Sequence, residues 1–393
     1  MKKLVIAAAL GLMSTGAFAQ VDKVKSAEKL IDSNTAEARK QAEEARQNDA
    51  TKNDPYAWFV SGMVEQKDYS SEYTKAQLQQ KANEEKMYNA LIAEVPFFLQ
   101  TYALENVPNE KGKIKLKYAK KAKDILKVDL PMLLNAGTFF QQKQDYKTAA
   151  EAFESYVNLR RHALFADDKA IATLDTTAYD VAYYSALMYH EVKNYDKAIA
   201  IANEFKDSPI KAEDIYQVLA ASYQSKGDSV SLQKALEEGQ KKFPKSAYFT
   251  LNLAQLAFNQ GKYTESENYV LKALEQDPKN VALMSFIAGL SEQQQKFDKA
   301  AEWYKKAIAI KADDYDANFN LGRTYYNMAV ELFNAEKPTK LSDEKGKGYL
   351  EQAIPYLETA YKQKPDGVYY MLSNVYDRLG RKADYDRIMA AHK

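Results

Sequence analysis

The chain has 393 residues, with 55 Lys and Arg against 54 Asp and Glu, a formal charge of +1 and no cysteine. So even a balance does not favour nucleic acid as a partner, because phosphate binding rests on a net basic surface. The lack of cysteine excludes disulfides, a thiolate nucleophile, cysteine-ligated metal and a lipidated cysteine.

Residues 1–19, MKKLVIAAALGLMSTGAFA, place two lysines before an apolar run from Leu4 to Leu12 and end in Ala17-Phe18-Ala19. This is the pattern of a secretory signal peptide, and cleavage after Ala19 would leave Gln20 as the new N-terminus. Removal takes away Lys2 and Lys3 but no acid, shifting the formal charge from +1 to −1. Nothing after Leu12 approaches the ~18 uninterrupted apolar residues of a membrane-spanning helix, so no integral membrane segment is expected. A periplasmic or secreted protein, soluble and without a lipid anchor, is the expectation.

Residues 20–129 read as a helical region with degenerate repeats. Ala38, Ala42 and Ala45 share one helical spacing, and Trp58 and Gly62 another. From Glu72 to Leu126 the pattern fades, interrupted by Pro96, Pro108 and Gly112, and a basic run, KGKIKLKYAKKAKDILK, occupies Lys111 to Lys127. Ile114, Leu116, Tyr118, Ala122, Ile125 and Leu126 alternate with its lysines, which predicts a solvated helix face beside a buried stripe. The other reading docks residues 111–127 on cell-wall glycan or anionic lipid.

From 130 onward the chain repeats itself every 34 residues. Tyr216, Leu219, Ala220, Tyr223, Gly227 and Pro244 are echoed by Leu253, Ala254, Gly261, Tyr263, Ala273 and Pro278. Met284, Ile287, Ala288, Phe297, Ala300, Tyr304 and Ala307 follow, then Leu321, Gly322 and Tyr325. Units begin near residues 130, 179, 213, 247, 281, 315 and 366, with insertions near 164–178 and 335–347. The second insertion reads as an exposed excursion between two helices. Small residues at Ala220, Ala254, Ala288 and Gly322 let paired helices approach closely, and each apolar stripe needs a neighbouring repeat to cover it.

These anchors resemble the tetratricopeptide-repeat consensus, most clearly from Trp303 to Asp314, and the leader likens the chain to exported members of that family in Gram-negative bacteria. The resemblance implies an all-α, right-handed superhelical solenoid of antiparallel helix pairs over residues 130–393. It also implies a protein-binding scaffold rather than an enzyme, with a concave groove for a peptide or protein partner.

Catalytic motifs are wanting. His190-Glu191 opens an HExxH pattern, but Asn194 stands where the second histidine belongs. Asp314, Asp316 and Asn318 have calcium-loop spacing, yet Phe319 replaces the required glycine and Tyr325 the bidentate acid, so helix capping is the better account. No catalytic, cofactor or metal residue is therefore assigned. Tyr183, Tyr223, Tyr304, Tyr325 and Tyr376 sit at repeat anchors and are expected in the core. Once that core stripe is set aside, Asn320, Arg323 and Asn327 share another helix face, matched by Asn252, Gln255 and Asn259, by Asn374 and Arg378, and by Asn135, Thr138 and Gln142. By resemblance this face lines the groove, where amides bond an extended backbone and arginines take carboxylates.

Overall fold

A computed structural model describes residues 21–335 and 339–392; the leader read at 1–19 and Pro338 lie outside them. The fold is an all-α helical-repeat solenoid, and the chain forms two compact units, residues 1–227 and 228–393.

In the first unit, α1 covers residues 21–30. It is followed by α2 (Thr35–Gln47), α3 (Pro55–Gln77), α4 (Glu84–Glu105), α5 (Tyr118–Gln142) and α6 (Tyr146–Arg161). A 3-10 turn (Ala163–Phe165) and the short α7 (Lys169–Ala172) precede α8 (Thr176–Glu191), α9 (Tyr195–Phe205) and α10 (Ala212–Lys226). Ala38, Ala42 and Ala45 form the buried edge of α2, packed with Val24 and Ala27 of α1 and with Ala57, Val60 and Val64 of α3. Gly62 faces the ring of Phe98 so closely that a Cβ could not be accommodated.

Two expectations for the N-terminal half need correction. The boundary at 129/130, where a repeat was to begin, falls inside the single helix α5. Ala119, Ala122, Leu126, Leu130, Leu133 and Ala136 give that helix one continuous buried stripe, and Pro131 is tolerated within it. Ile114 and Leu116, expected in the stripe, precede α5 and are exposed. Two lysines further along the helix are engaged: Lys123 pairs with Asp167, and Lys127 with Asp168 at 2.6 Å.

The inserted segment near 164–178 is fastened from below by Arg160, which is buried. Its guanidinium donates to the carbonyls of Ile171 (3.1 Å) and Thr173, to Tyr156 Oη (2.8 Å) and to the Asp175 carboxylate (2.9 Å).

A second polar group lies deeper. Glu94 of α4 is fully buried, neither carboxylate oxygen has a hydrogen-bond partner, and buried Asp129 of α5 lies beside it. Burial raises the Asp129 carboxyl as well, an effect that the hydrogen bond from Gln66 at 3.0 Å only partly offsets. Arg39 is paired with Glu65 and Asp68, and Lys86 with Asp68 at 2.8 Å. Burial, and then the charge of Asp129, therefore pushes the Glu94 carboxyl far above its ordinary range.

The second unit contains α11 (Ser229–Lys242), α12 (Ala247–Asn259), α13 (Tyr263–Gln276), α14 (Val281–Gln293) and α15 (Phe297–Ile310). It continues with α16 (Tyr315–Phe333), α17 (Lys340–Gln363), α18 (Pro365–Arg378) and α19 (Lys382–Ala390). Helix starts at 247, 281 and 315 keep the 34-residue period, and α18 starts at Pro365, beside the unit expected near 366. Ala254, Ala288, Ala300 and Ala307 are each sealed from solvent in one continuous core. At Gly322 a Cβ would stand 2.5 Å from Leu357 Cγ, so only glycine permits that crossing. Tyr304, Tyr325 and Tyr376 are buried as expected, whereas Tyr183 and Tyr223 of the first unit are only half-buried.

The second insertion does not form the excursion expected for 335–347. Most of the added length extends the two helices, α16 running to Phe333 and α17 starting at Lys340. Thr339 and Ser342 close a reciprocal capping box at the start of α17, and the Phe333 ring lies against Gly346 one turn further on. The extra residues thereby gain helical hydrogen bonds and apolar contact that a free loop would lack.

Two measurements check this account. Ala300→Trp is expected to lower the urea midpoint by the equivalent of about 1–3 kcal/mol, while Lys299→Ala, whose side chain meets Glu267 at the surface, stays within about 0.5 kcal/mol. For Glu94 the native state holds its proton more tightly than the unfolded chain does. Its contribution to stability is therefore greatest below the unfolded carboxylate range and falls, by about 1.4 kcal/mol per pH unit, as pH rises toward the native value. Glu94→Gln should flatten that decline in urea titrations, and an unchanged slope would show that Glu94 is charged in the folded protein.

Candidate functional site

Within residues 228–393, α12, α14, α16 and α18 touch in succession, so the first helices of consecutive pairs form one layer. Three of the four start from a definite signal. Asn280 and Asp314 accept from backbone N–H groups of Leu283 and Ala317 at 3.1 and 3.0 Å, and Pro365 opens α18. The acid at 314 is thus a helix cap, and Asn318 donates to the carbonyls of Ala312 and Asp314 rather than offering its oxygen inward.

The layer carries the expected row of polar side chains. Gln255, Asn259 and Arg378 are exposed, and Asn252, Asn320, Arg323, Asn327 and Asn374 are half-buried. Several amides are engaged locally, Asn252 donating to the Tyr248 carbonyl at 2.8 Å and Gln255 to Asn259 Oδ1 at 2.8 Å. On α14 the corresponding positions are Phe286, Gly289 and Gln293, which interrupts the row with a ring and a gap. In the first unit Asn135, Thr138 and Gln142 are exposed on α5.

The two arginines of the row, one repeat position apart in register, differ in the structure. Arg323 donates to Glu292 Oε2 at 2.7 Å, and Thr324 donates to Oε1 of the same carboxylate at 2.7 Å, with the Tyr304 hydroxyl at 3.3 Å. The Glu292 side chain is only 9% exposed, so Arg323 is chiefly the counter-ion of a buried acid. Sequence reasoning missed Glu292, although it lies one repeat before Tyr326, on the layer it helps to hold. Burial beside this carboxylate also pushes the Tyr304 phenol upward in pKa.

Arg378 makes no ion pair among the described residues. Its guanidinium lies 5.5 Å from the centre of the Phe333 ring, at the edge of a depression of about 300 Å³ lined also by Leu332, Ser342, Asp343 and Lys347. Asp343 is held by Lys347 at 2.8 Å. The structure therefore joins two features that the sequence kept apart, the last arginine of the row and the start of α17 within the second insertion. Among the described residues no group of three or more His, Asp or Glu could hold a metal ion, and no helix is long and apolar enough to cross a membrane.

Removing Arg323 would strand Glu292. Arg323→Ala is expected to cost about 2 kcal/mol in chemical denaturation, and Arg378→Ala within about 0.5 kcal/mol. Equal losses would mean that the Arg323–Glu292 contact contributes nothing to the fold.

The tetratricopeptide repeat family matches residues 233–281 and 251–317. Among curated proteins, the mouse and human forms of protein O-mannosyl-transferase TMTC3 are each 28% identical over 107 residues, 27% of this chain and 11% of theirs. The chain thus matches only a small part of those transferases, and their chemistry belongs to them. Three solved structures resemble it partially. The type IV pilus biogenesis factor PilW shares 19% identity over 56% of this chain and 93% of its own, at a TM-score of 0.39. The MamA protein shares 16% over 49% and 94%, at 0.35. The C-terminal part of a repeat-containing protein from Cytophaga hutchinsonii shares 13% over 65% and 92%, at 0.44. With TM-scores this low, none of the three decides anything further. The likeness to the tetratricopeptide repeat family thus rests on residues 233–317 of this chain.

Proposed function

We propose that the protein is a non-enzymatic scaffold of the cell envelope that holds a peptide or protein partner against the first-helix layer of residues 228–393. Tetratricopeptide repeats generally mediate protein–protein contact, and the observation that carries the reading here is Arg378. This arginine is exposed, without a carboxylate partner among the described residues, and set beside the Phe333 ring. A planar fork of donors next to an apolar ring suits an acidic peptide that also presents a hydrophobic side chain. Asn320, Asn327 and Asn374 would bond its backbone, with Asn252, Gln255 and Asn259 extending the row, while Arg323 serves the fold and contributes to binding only through the shape of the layer. Nucleic acid is not the proposed ligand.

Export is supported by the pattern of residues 1–19, and mass spectrometry of secreted protein that found an intact Met1 would exclude it. The binding site is tested by photo-crosslinking from single positions. A crosslinker at Asn327 or Asn374 should yield adducts that Arg378→Ala weakens about tenfold, while one at Lys272 on α13 should yield none. Equal adducts from both faces, or affinity undiminished in Arg378→Ala, would remove this layer from consideration.

A further inference from the structure

The loop between α4 and α5 combines exposure and charge in a way that the helical array does not explain. Residues 106–121 hold Lys111, Lys113, Lys115, Lys117, Lys120 and Lys121 against a single acid, Glu110. In contrast to Lys123 and Lys127, none of these six makes an ion pair among the described residues; Lys117 donates to its neighbour Tyr118 Oη at 2.9 Å. Val107, Ile114 and Leu116 stand among them, 61%, 49% and 39% exposed.

The loop is also built to keep one form. At its neck the Glu105 carboxylate accepts the backbone N–H groups of Tyr118 (3.0 Å) and Ala119 (2.8 Å), capping α5 and drawing the two ends together. At its tip Asn109 Oδ1 accepts from the backbone of Lys111 and Lys113 at 3.0 and 3.1 Å, Asn109 N–H donates to the Lys113 carbonyl at 3.0 Å, and Gly112 takes a left-handed φ of 69°. A pinned turn that leaves three large apolar side chains in water without burying them elsewhere in the chain is poorly explained as a mere connection.

We propose that residues 107–121 dock the protein on an anionic lipid surface. Lysine side chains are attracted by the negative surface potential of such a bilayer, and Val107, Ile114 and Leu116 enter the headgroup boundary between them. A dissolved polyanion would satisfy the lysines yet leave those three side chains exposed, and a neutral bilayer would do the reverse. An anionic lipid interface meets both requirements at once. The surface belongs to residues 1–227 and does not depend on the partner-binding reading of residues 228–393.

The test is flotation of the full chain with vesicles of phosphatidylcholine mixed with phosphatidylglycerol, beside phosphatidylcholine alone. The protein is expected to float with the mixed vesicles only, and less so as salt is raised. Lys111→Ser/Lys113→Ser/Lys115→Ser should reduce partitioning on the order of a hundredfold. Ile114→Ser/Leu116→Ser should reduce it on the order of tenfold. Both variants alter solvent-facing side chains, so unchanged thermal midpoints are expected and would confirm that folding is intact. Absence of flotation, or equal flotation with both vesicle types, would overturn the proposal. So would full partitioning by the Ile114→Ser/Leu116→Ser variant, which would reassign the loop to a soluble or cell-wall polyanion.

Discussion

Each pair of helices in this chain stays together because one residue at the crossing is too small to hold them apart. At Gly322 the room for a Cβ is already filled by Leu357, and at Gly62 by Phe98; Ala254 and Ala288 occupy equivalent places with only a methyl group. The close approach lets Tyr304, Tyr325 and Tyr376 reach the core, and it leaves each pair with an apolar face that only the next pair can cover. Cohesion is therefore passed along the chain from neighbour to neighbour, and a large side chain at one crossing would be felt on both sides of it.

Burying so many tyrosines brings their hydroxyls inside, where each needs a partner. Tyr376 donates to Glu358 at 2.5 Å and Tyr304 approaches Glu292 at 3.3 Å, so acids follow the tyrosines inward. An acid drawn inward then needs a cation of its own, and Arg387 meets Glu358 as Arg323 meets Glu292. This sequence of requirements is why an arginine on the presumed binding face turned out to serve the fold. Glu94 is the exception: among the described residues no cation pairs with it, and burial raises its pKa instead.

The period of 34 residues made the second unit legible, because a small residue, a tyrosine and a helix-ending proline recurring together leave few other arrangements. Ala38, Ala42 and Ala45 were enough to indicate the N-terminal packing even without a full repeat. What periodicity could not convey was the partner of a charged side chain. Glu292 lies 31 residues before Arg323, and their meeting depends on the packing of α14 against α16. Nor could it distinguish a loop from a longer helix. The lysine-rich and glycine-containing stretch after Ala335 has the composition of an exposed excursion, but Phe333 found Gly346 across the hairpin and the helices continued. For Ile114 and Leu116 the error was the opposite, because alternation with lysine was read as helical amphipathicity where the chain had not yet entered the helix.

A repeating array gives its residues little freedom, since most positions are fixed by the need to pack against the next unit. Distinctive chemistry must then enter where the period breaks, and the three breaks have had different outcomes. Near 164–178 the added residues are tied down by Arg160 and by two lysines of α5, so their charges are largely spent within the fold. After Phe333 most of the added length was absorbed into helix, leaving one depression beside Arg378. Between α4 and α5 the chain neither packs its apolar side chains nor pairs its lysines, although Glu105 and Asn109 spend their hydrogen bonds on holding it in place. Order without burial is the combination expected of a segment whose contacts lie outside its own chain, and it separates this loop from the other two breaks.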